Sequence, residues 1–205
     1  MAALAASQPA IDFDEANHLY FVNGKQTPSV SSILSPLVDF SYVPRETLEY
    51  ASQRGTAVHR ATELYDLGTL DDESVDEAVR PYLDAWKRFR QDTGFVPRLI
   101  ERRVHHADYG YCGTIDREGC MTELAGSPQA IIDIKTPVHL GPVVGLQLAA
   151  YQEALRSEGF QVDLRFAVQL RSDGNYRLQS YIEKSDFGVF VALLTLKRWR
   201  EKHGR

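Results

Sequence analysis

The hydrophobic pattern changes near Val96, and this change constrains the fold more than any other feature of the sequence. Before Val96, apolar side chains recur at steps of three and four residues, which is typical of amphipathic helices. From there to residue 136, short apolar segments alternate with turn residues, which indicates strands. Helices are predicted at residues 30–34, 44–53, 55–67, 75–89, 142–156 and from residue 186 onward. Strands are predicted at residues 19–22, 99–105, 111–118, 130–136, 162–170 and 176–182.

This order of elements predicts an α/β fold with a mixed central β-sheet flanked by helices. A chain of 205 residues, of which 43% are hydrophobic and 25% charged, fits one globular domain. The longest unbroken apolar runs have six residues, which is too short for a transmembrane helix. We expect residues 1–10 to be a frayed terminus, because they lack the basic start of a targeting signal.

Charge and cysteine content exclude some functions. The net charge of -5 disfavours a protein that is basic over its whole surface and binds nucleic acid without specificity, although a local basic groove remains compatible with it. The two cysteines, Cys112 and Cys120, cannot form a disulfide framework or supply four thiolates to an iron-sulfur cluster. A reducing, cytoplasmic environment is expected.

The predicted strand at residues 130–136 carries two charged side chains in an apolar sequence. Because side chains alternate along a strand, Asp133 and Lys135 should share one face, while Ile132 and Ile134 fill the other. Burying these charges is costly unless a metal ion or an anionic substrate compensates them. The alternative is an ion pair on an edge strand that faces water.

A second carboxylate precedes this strand in the segment G-T-I-D, which ends at Asp116. A hairpin through the loop at residues 126–128 would place Asp116 beside Asp133. Two carboxylates sharing one hard cation are typical of Mg²⁺ or Mn²⁺ sites. Alternatively, Asp116 makes a turn or pairs with Arg117.

Two helices add further polar candidates. His59 and Glu63 lie one turn apart, outside the apolar arc of the helix at residues 55–67, so they can act together on a ligand or form a solvated surface pair. Gln147 and Tyr151 continue the apolar stripe of the helix at residues 142–156. The amide of Gln147 needs partners if it is buried, and it is otherwise a half-exposed boundary residue.

Four motifs occur in order along residues 54–151: R-G-T-A-V-H-R-A-T-E, G-T-I-D, I-I-D-I-K-T and Q-L-A-A-Y. Together they resemble the RecB-like branch of the PD-(D/E)XK nuclease superfamily. The N-terminal segment H-L-Y-F-V-N-G-K-Q-T-P-S-V-S-S-I-L and the last helix are similar to phage-encoded members and to relatives of the mitochondrial genome maintenance exonuclease. The resemblance implies a single nuclease domain with a restriction-endonuclease-like core at residues 54–205 and an N-terminal strand and helical extension at residues 1–53.

The resemblance also implies roles for individual residues. Asp116 and Asp133 would be metal carboxylates, and Lys135 the catalytic lysine. Further metal ligands would be His59, the backbone carbonyl of Ile134 and, less directly, Glu63 and Glu101. Gln147 and Tyr151 would support the site or the substrate. One or two Mg²⁺ or Mn²⁺ ions would assist phosphodiester hydrolysis, and no iron-sulfur cluster would be present.

The substrate implied by the resemblance is DNA, as single strands or ends. Candidate substrate-binding residues are Arg54, Arg60, Arg102 and Tyr151. An exonuclease in phage or cellular recombination or repair is the favoured interpretation, with a phage or host recombination or single-strand-binding protein as a possible partner. The alternatives are a non-catalytic DNA-binding or regulatory module with the same fold and a hydrolase of small phosphoesters.

Overall fold

A computed structural model describes residues 9–137 and 139–204 of the chain. The prediction of a frayed terminus falls largely on residues 1–8, which lie outside this part. Within the described residues, no helix is both long and apolar enough to cross a membrane.

The N-terminal flank begins with a small antiparallel sheet. Its strands are β1 (Ile11–Asp14), β2 (Leu19–Val22) and β3 (Lys25–Thr27), in the order β1-β2-β3. Strand β2 was predicted, but β1 and β3 were missed because they are short and largely polar. The predicted helical extension therefore lacked this sheet. A short helix α1 (Val30–Leu34) follows, and Ser29 caps it by accepting a hydrogen bond from the Ser32 amide.

The central sheet has five strands, which the sequence predicted with errors only at their ends. They are β4 (Phe95–His106), β5 (Tyr111–Met121), β6 (Gln129–Lys135), β7 (Leu164–Leu170) and β8 (Tyr176–Ser180). Their spatial order is β4-β5-β6-β7-β8, and every neighbouring pair is antiparallel except β6 and β7. The helices around the sheet are α2 (Arg45–Asp66), α3 (Arg80–Thr93), α4 (Val143–Ser157) and α5 (Asp186–His203). The fold is thus the predicted mixed α/β architecture.

Helix α2 corrects one prediction. It is continuous, whereas the sequence suggested two helices that meet at Gly55. Glycine costs only about 1 kcal/mol within a helix, so packing can override it. A Cβ at residue 55 would lie 4.0 Å from Thr136 Oγ1, which shows how closely the helix passes the end of β6. The predicted division between residues 53 and 54 lies inside this helix.

Two further helix starts differ from the predictions. Helix α3 begins at Arg80 with Pro81 in its first turn, so Val75 and Val79 precede the helix. Proline suits this position because it has no amide to donate. Asp186 is the first residue of α5 rather than its cap, and its carboxylate instead pairs with Arg165 at 3.1 Å.

Apolar side chains pack on both faces of the central sheet. One cluster joins the sheet to α1, α4 and α5 and contains Ile131 of β6. The other joins the sheet to α2 and α3 and contains Ile132 and Ile134. The predicted alternation along β6 is therefore present. It leaves Asp133 and Lys135 at the carboxyl end of a central strand, next to the N-terminal half of α4.

Candidate metal and catalytic site

The hairpin of β5 and β6 brings Asp116 to the predicted catalytic strand. Arg117 lies opposite Ile132 in the antiparallel register. One residue further, Asp116 Oδ2 accepts a hydrogen bond of 2.6 Å from the backbone amide of Ile134. This bond orients the carboxylate, because a backbone amide has little freedom to move. The alternative in which the Asp116 side chain pairs with Arg117 is wrong, since Arg117 donates to the backbone oxygen of Asp116.

Three side chains from three elements form a candidate metal-binding group, which we call the acidic group: His59 of α2, Glu101 of β4 and Asp116 of β5. One ligand atom from each lies within 4.8 Å of the others. His59 Nδ1 is 3.6 Å from both Glu101 Oε1 and Asp116 Oδ1. The other ring nitrogen, Nε2, is 3.1 Å from the carbonyl oxygen of Ile134. These nitrogen and oxygen atoms are suitable ligands for Mg²⁺ or Mn²⁺.

Glu101 reaches the acidic group through an unusual backbone conformation. Its φ angle is +44°, in the left-handed region that non-glycine residues rarely adopt. Its neighbours Ile100 and Arg102 pair with Arg117 and Ile115 on β5. Such strain costs about 1–3 kcal/mol and persists only where the surrounding structure enforces it. The sequence offered no sign of this conformation.

Asp133 and Lys135 form an ion pair beside the acidic group, which we call the buried pair. Lys135 Nζ lies 2.7 Å from Asp133 Oδ2, and the Asp133 side chain is 4% exposed. Among the described residues, no donor reaches Asp133 Oδ2 with hydrogen-bond geometry. The alternative of a solvated pair on an edge strand is wrong, because β6 is central and Asp133 is buried.

The electrostatics of the two groups are coupled. Burial, opposed mainly by Lys135, raises the pKa of Asp133 to about 6. Burial disfavours the charged form of His59, but the carboxylates of Asp116 and Glu101 outweigh it and raise the pKa of His59 to about 9. Burial likewise disfavours the Lys135 ammonium, and Asp133 and Asp116 reverse the effect and raise the pKa of Lys135. The site thus favours cations strongly.

Gln147 and Tyr151 lie on α4 next to the buried pair. Lys135 Nζ donates to Gln147 Oε1 at 3.4 Å, so the amide has a polar partner. Tyr151 is 7% exposed and packs against Gly113, where a Cβ would come within 2.7 Å of the tyrosine ring. This burial leaves Tyr151 little surface for the predicted substrate contact, and it fits a supporting position behind Gln147.

The remaining predicted residues lie outside the acidic group. Glu63 accepts a hydrogen bond of 2.7 Å from Arg60, and both lie on the rim of a cleft in front of His59. Arg54 stacks over Tyr82 at 5.6 Å and lines a separate cavity with Thr136. Arg102 pairs with Glu158 at 2.7 Å and is absent from the cleft lining.

The cleft in front of the acidic group has a volume of about 660 Å³. Its lining comes from α2, from the N-terminal sheet and from the strands β4 and β5, and it consists of Phe13, Glu15, Gly55, Thr56, His59, Arg60, Glu63, Glu101, Arg103 and Thr114. The N-terminal sheet is bonded to this wall through Tyr20 Oη, 2.9 Å from Thr114 Oγ1, and through Arg103, which donates to the Ile11 carbonyl at 3.3 Å. Sequence reasoning missed this contribution because β1 was not predicted.

Sequence reasoning also missed a buried network behind Glu101. The fully buried guanidinium of Arg117 contacts Glu101 at 2.8 Å and Asp66 at 2.6 Å. Asp66 lies 51 residues before Arg117, and no sequence pattern connects the two.

Comparisons with known proteins show that the fold of this chain is similar to folds in solved structures. No protein-family profile matches the chain. No curated protein matches it either. A protein from Eubacterium rectale, provisionally named an exonuclease, is similar in structure with a TM-score of 0.50 and 12% sequence identity over 74% of this chain and 68% of that chain. An alkaline exonuclease from Laribacter hongkongensis gives a TM-score of 0.42 and 13% identity over 87% of this chain and 92% of that chain. At these identities the first likeness shows a shared fold.

Proposed function

We propose that this protein is a DNA nuclease that hydrolyses phosphodiester bonds with a divalent cation, Mg²⁺ or Mn²⁺. The observation that carries the proposal is the convergence of His59, Glu101 and Asp116 beside the buried pair of Asp133 and Lys135. Buried carboxylates around a lysine are costly without a cation and an anionic substrate. The fold shared with the Eubacterium rectale protein supports the same class.

The side chains present fit one or two such ions. His59, Glu101 and Asp116 would hold the first, while the Ile134 carbonyl faces the other ring nitrogen of His59 and would orient the imidazole. Asp133 would contribute a carboxylate oxygen while its Oδ2 atom stays paired with the Lys135 ammonium at 2.7 Å. When bound, a cation of this kind lowers the pKa of a coordinated water and neutralises charge on the phosphate.

Lys135 would act on the substrate directly. Asp133 and Asp116 favour its ammonium form, so it can stabilise the negative charge that grows on the phosphate oxygens. Gln147 would direct the ammonium group by accepting its hydrogen bond. The Asp133 carboxylate and the Gln147 amide oxygen both contact Lys135 Nζ and restrict its orientation.

The substrate would be DNA, as single strands or ends, and the activity that of an exonuclease of the RecB-like branch in recombination or repair. Arg60 and Arg103 border the cleft and would contact backbone phosphates. The provisional exonuclease name of the Eubacterium rectale protein supports an end-directed activity.

The test uses single- and double-stranded DNA, linear and circular, labelled at the 5′ or the 3′ end. We expect products from linear DNA with Mg²⁺ or Mn²⁺ and none after EDTA is added. Cleavage of circular DNA would contradict the exonuclease assignment. Binding of DNA without any products, under all metal conditions, would contradict the enzyme and favour a non-catalytic DNA-binding module.

A further inference from the structure

Arg117 occupies the centre of a buried polar network behind the acidic group. Its Nε donates to Asp66 Oδ2 at 2.6 Å, and its Nη1 donates to Glu101 Oε1 at 2.8 Å and to the Asp116 carbonyl at 2.7 Å. Its Nη2 donates to Thr62 Oγ1 at 3.2 Å. The side chains of Arg117 and Asp66 are both 0% exposed. One guanidinium therefore connects two of the three elements of the acidic group to the end of α2.

The buried negative charge of Asp66 is energetically unfavourable at its position. Asp66 is the last residue of α2, where a negative charge opposes the helix dipole. Three donors from other elements hold it: Arg117, Arg90 Nη1 at 2.7 Å and Trp86 Nε1 at 3.0 Å. Replacing a buried ion pair with apolar side chains is often neutral for stability, so stability alone does not account for this arrangement.

The network reaches the acidic group at Glu101. Glu101 has the left-handed backbone described above, and the same oxygen that accepts from Arg117 lies 3.6 Å from His59 Nδ1. The left-handed backbone of Glu101 and the buried guanidinium of Arg117 thus both determine where the Glu101 carboxylate lies. Partners that orient a ligand in this way commonly set the affinity of a metal site.

We propose that Arg117 and Asp66 are positioning residues that hold the Glu101 carboxylate as a ligand for the cation, an inference that rests on the proposed function. Asp66 orients Arg117, and Arg117 orients Glu101. Neither contacts the cation or the substrate. Because Arg117 also donates to the Asp116 carbonyl, their loss changes cation affinity mainly, and not solely, through Glu101.

The test measures the Kd of Mn²⁺ alone by isothermal titration calorimetry, with folding checked by circular dichroism. Asp66→Asn removes the charge that orients Arg117 and should raise the Kd about tenfold. Arg98→Met is the matched control. This substitution removes the guanidinium that pairs with Glu118, a buried carboxylate that follows Arg117 on β5. The Glu118 side chain points to the opposite face of β5 from that of Arg117. This control should bind Mn²⁺ within about twofold of wild type although it too removes one partner of an ion pair that involves a buried carboxylate.

A double-mutant cycle separates positioning from general destabilisation. In a Glu101→Gln background, Asp66→Asn should change the Kd much less than in wild type, because the carboxylate that it positions is gone. An equal effect of Asp66→Asn in both backgrounds would overturn the proposal, as would an unchanged Kd in the single variant. If Asp66→Asn does not fold, Trp86→Phe takes its place in the cycle, with an increase of roughly threefold expected for the loss of one bond to Asp66. An unchanged Kd there would also overturn the proposal.

The outcomes distinguish this inference from the proposed function. Wild-type protein that neither binds Mn²⁺ nor cleaves DNA would contradict both. Wild-type protein that binds and cleaves, with a Kd insensitive to Asp66→Asn, would contradict only the positioning roles of Asp66 and Arg117.

Discussion

The acidic group and the buried pair meet where Asp116 of β5 lies beside β6, but the two groups differ in how their charges are balanced. In the acidic group, the carboxylates of Glu101 and Asp116 face His59, whose pKa they raise to about 9. In the buried pair, Asp133 has its own cation 2.7 Å away. The first arrangement attracts a positive ion from outside, whereas the second keeps a lysine in place. Under the proposed function, the acidic group would mainly bind the cation and the buried pair would stabilise the phosphate.

The largest effect should come from removing one key residue of each group. Asp116→Asn and Lys135→Met should each reduce DNA cleavage about a thousandfold, a loss of about 4 kcal/mol in transition-state stabilisation. Only Asp116→Asn should also abolish the increase in melting temperature that Mn²⁺ causes. Cleavage rates and thermal melting with and without Mn²⁺ check this. The division would fail if Lys135→Met lost the Mn²⁺ effect and Asp116→Asn kept it.

A smaller effect, on the Kd of Mn²⁺, should distinguish two of the glutamates that line the cleft, Glu101 and Glu63. Glu101→Gln should raise the Kd of Mn²⁺ about tenfold, because it removes one charged ligand. Glu63→Gln is the control, since Glu63 pairs with Arg60 and lies outside the acidic group. Calorimetric titration of both variants measures the difference. Equal Kd changes in the two would show that net charge, and not ligand position, determines affinity.

The smallest effect on the cleavage rate should come from changing the orientation of the Lys135 side chain. Gln147→Leu keeps a side chain of similar size but removes the acceptor 3.4 Å from Lys135 Nζ. We expect cleavage to fall roughly fivefold, as the loss of a hydrogen bond of about 1 kcal/mol implies. The Kd of Mn²⁺ should not change. A changed Kd with an unchanged maximal rate would place Gln147 with the acidic group instead.

The same two groups differ in how far the sequence predicts them. The buried pair follows from local rules, because alternation along one apolar strand places Asp133 and Lys135 together. The hairpin that brings Asp116 to β6 was also predicted, from the turn residues at 126–128. Five central strands and the flanking helices follow from hydrophobic periodicity in the same way.

The acidic group needs information that local patterns do not contain. Glu101 depends on a left-handed backbone in β4, and its orientation depends on Arg117 and Asp66, which are far apart in the chain. The continuity of α2 across Gly55 depends on packing that outweighs helix propensity. The sequence placed His59 on a helix, but only the tertiary structure brings its Nδ1 atom to 3.6 Å from both Glu101 and Asp116.

The position of a bound cation tests the division between the two groups most directly. A crystal of the protein soaked in Mn²⁺ and measured at a wavelength with anomalous manganese signal would locate it. We predict a peak bound by His59, Glu101 and Asp116, with ligand distances of about 2.0–2.2 Å. A peak that touches none of these three side chains, or no peak at a Mn²⁺ concentration that supports cleavage, would contradict the account.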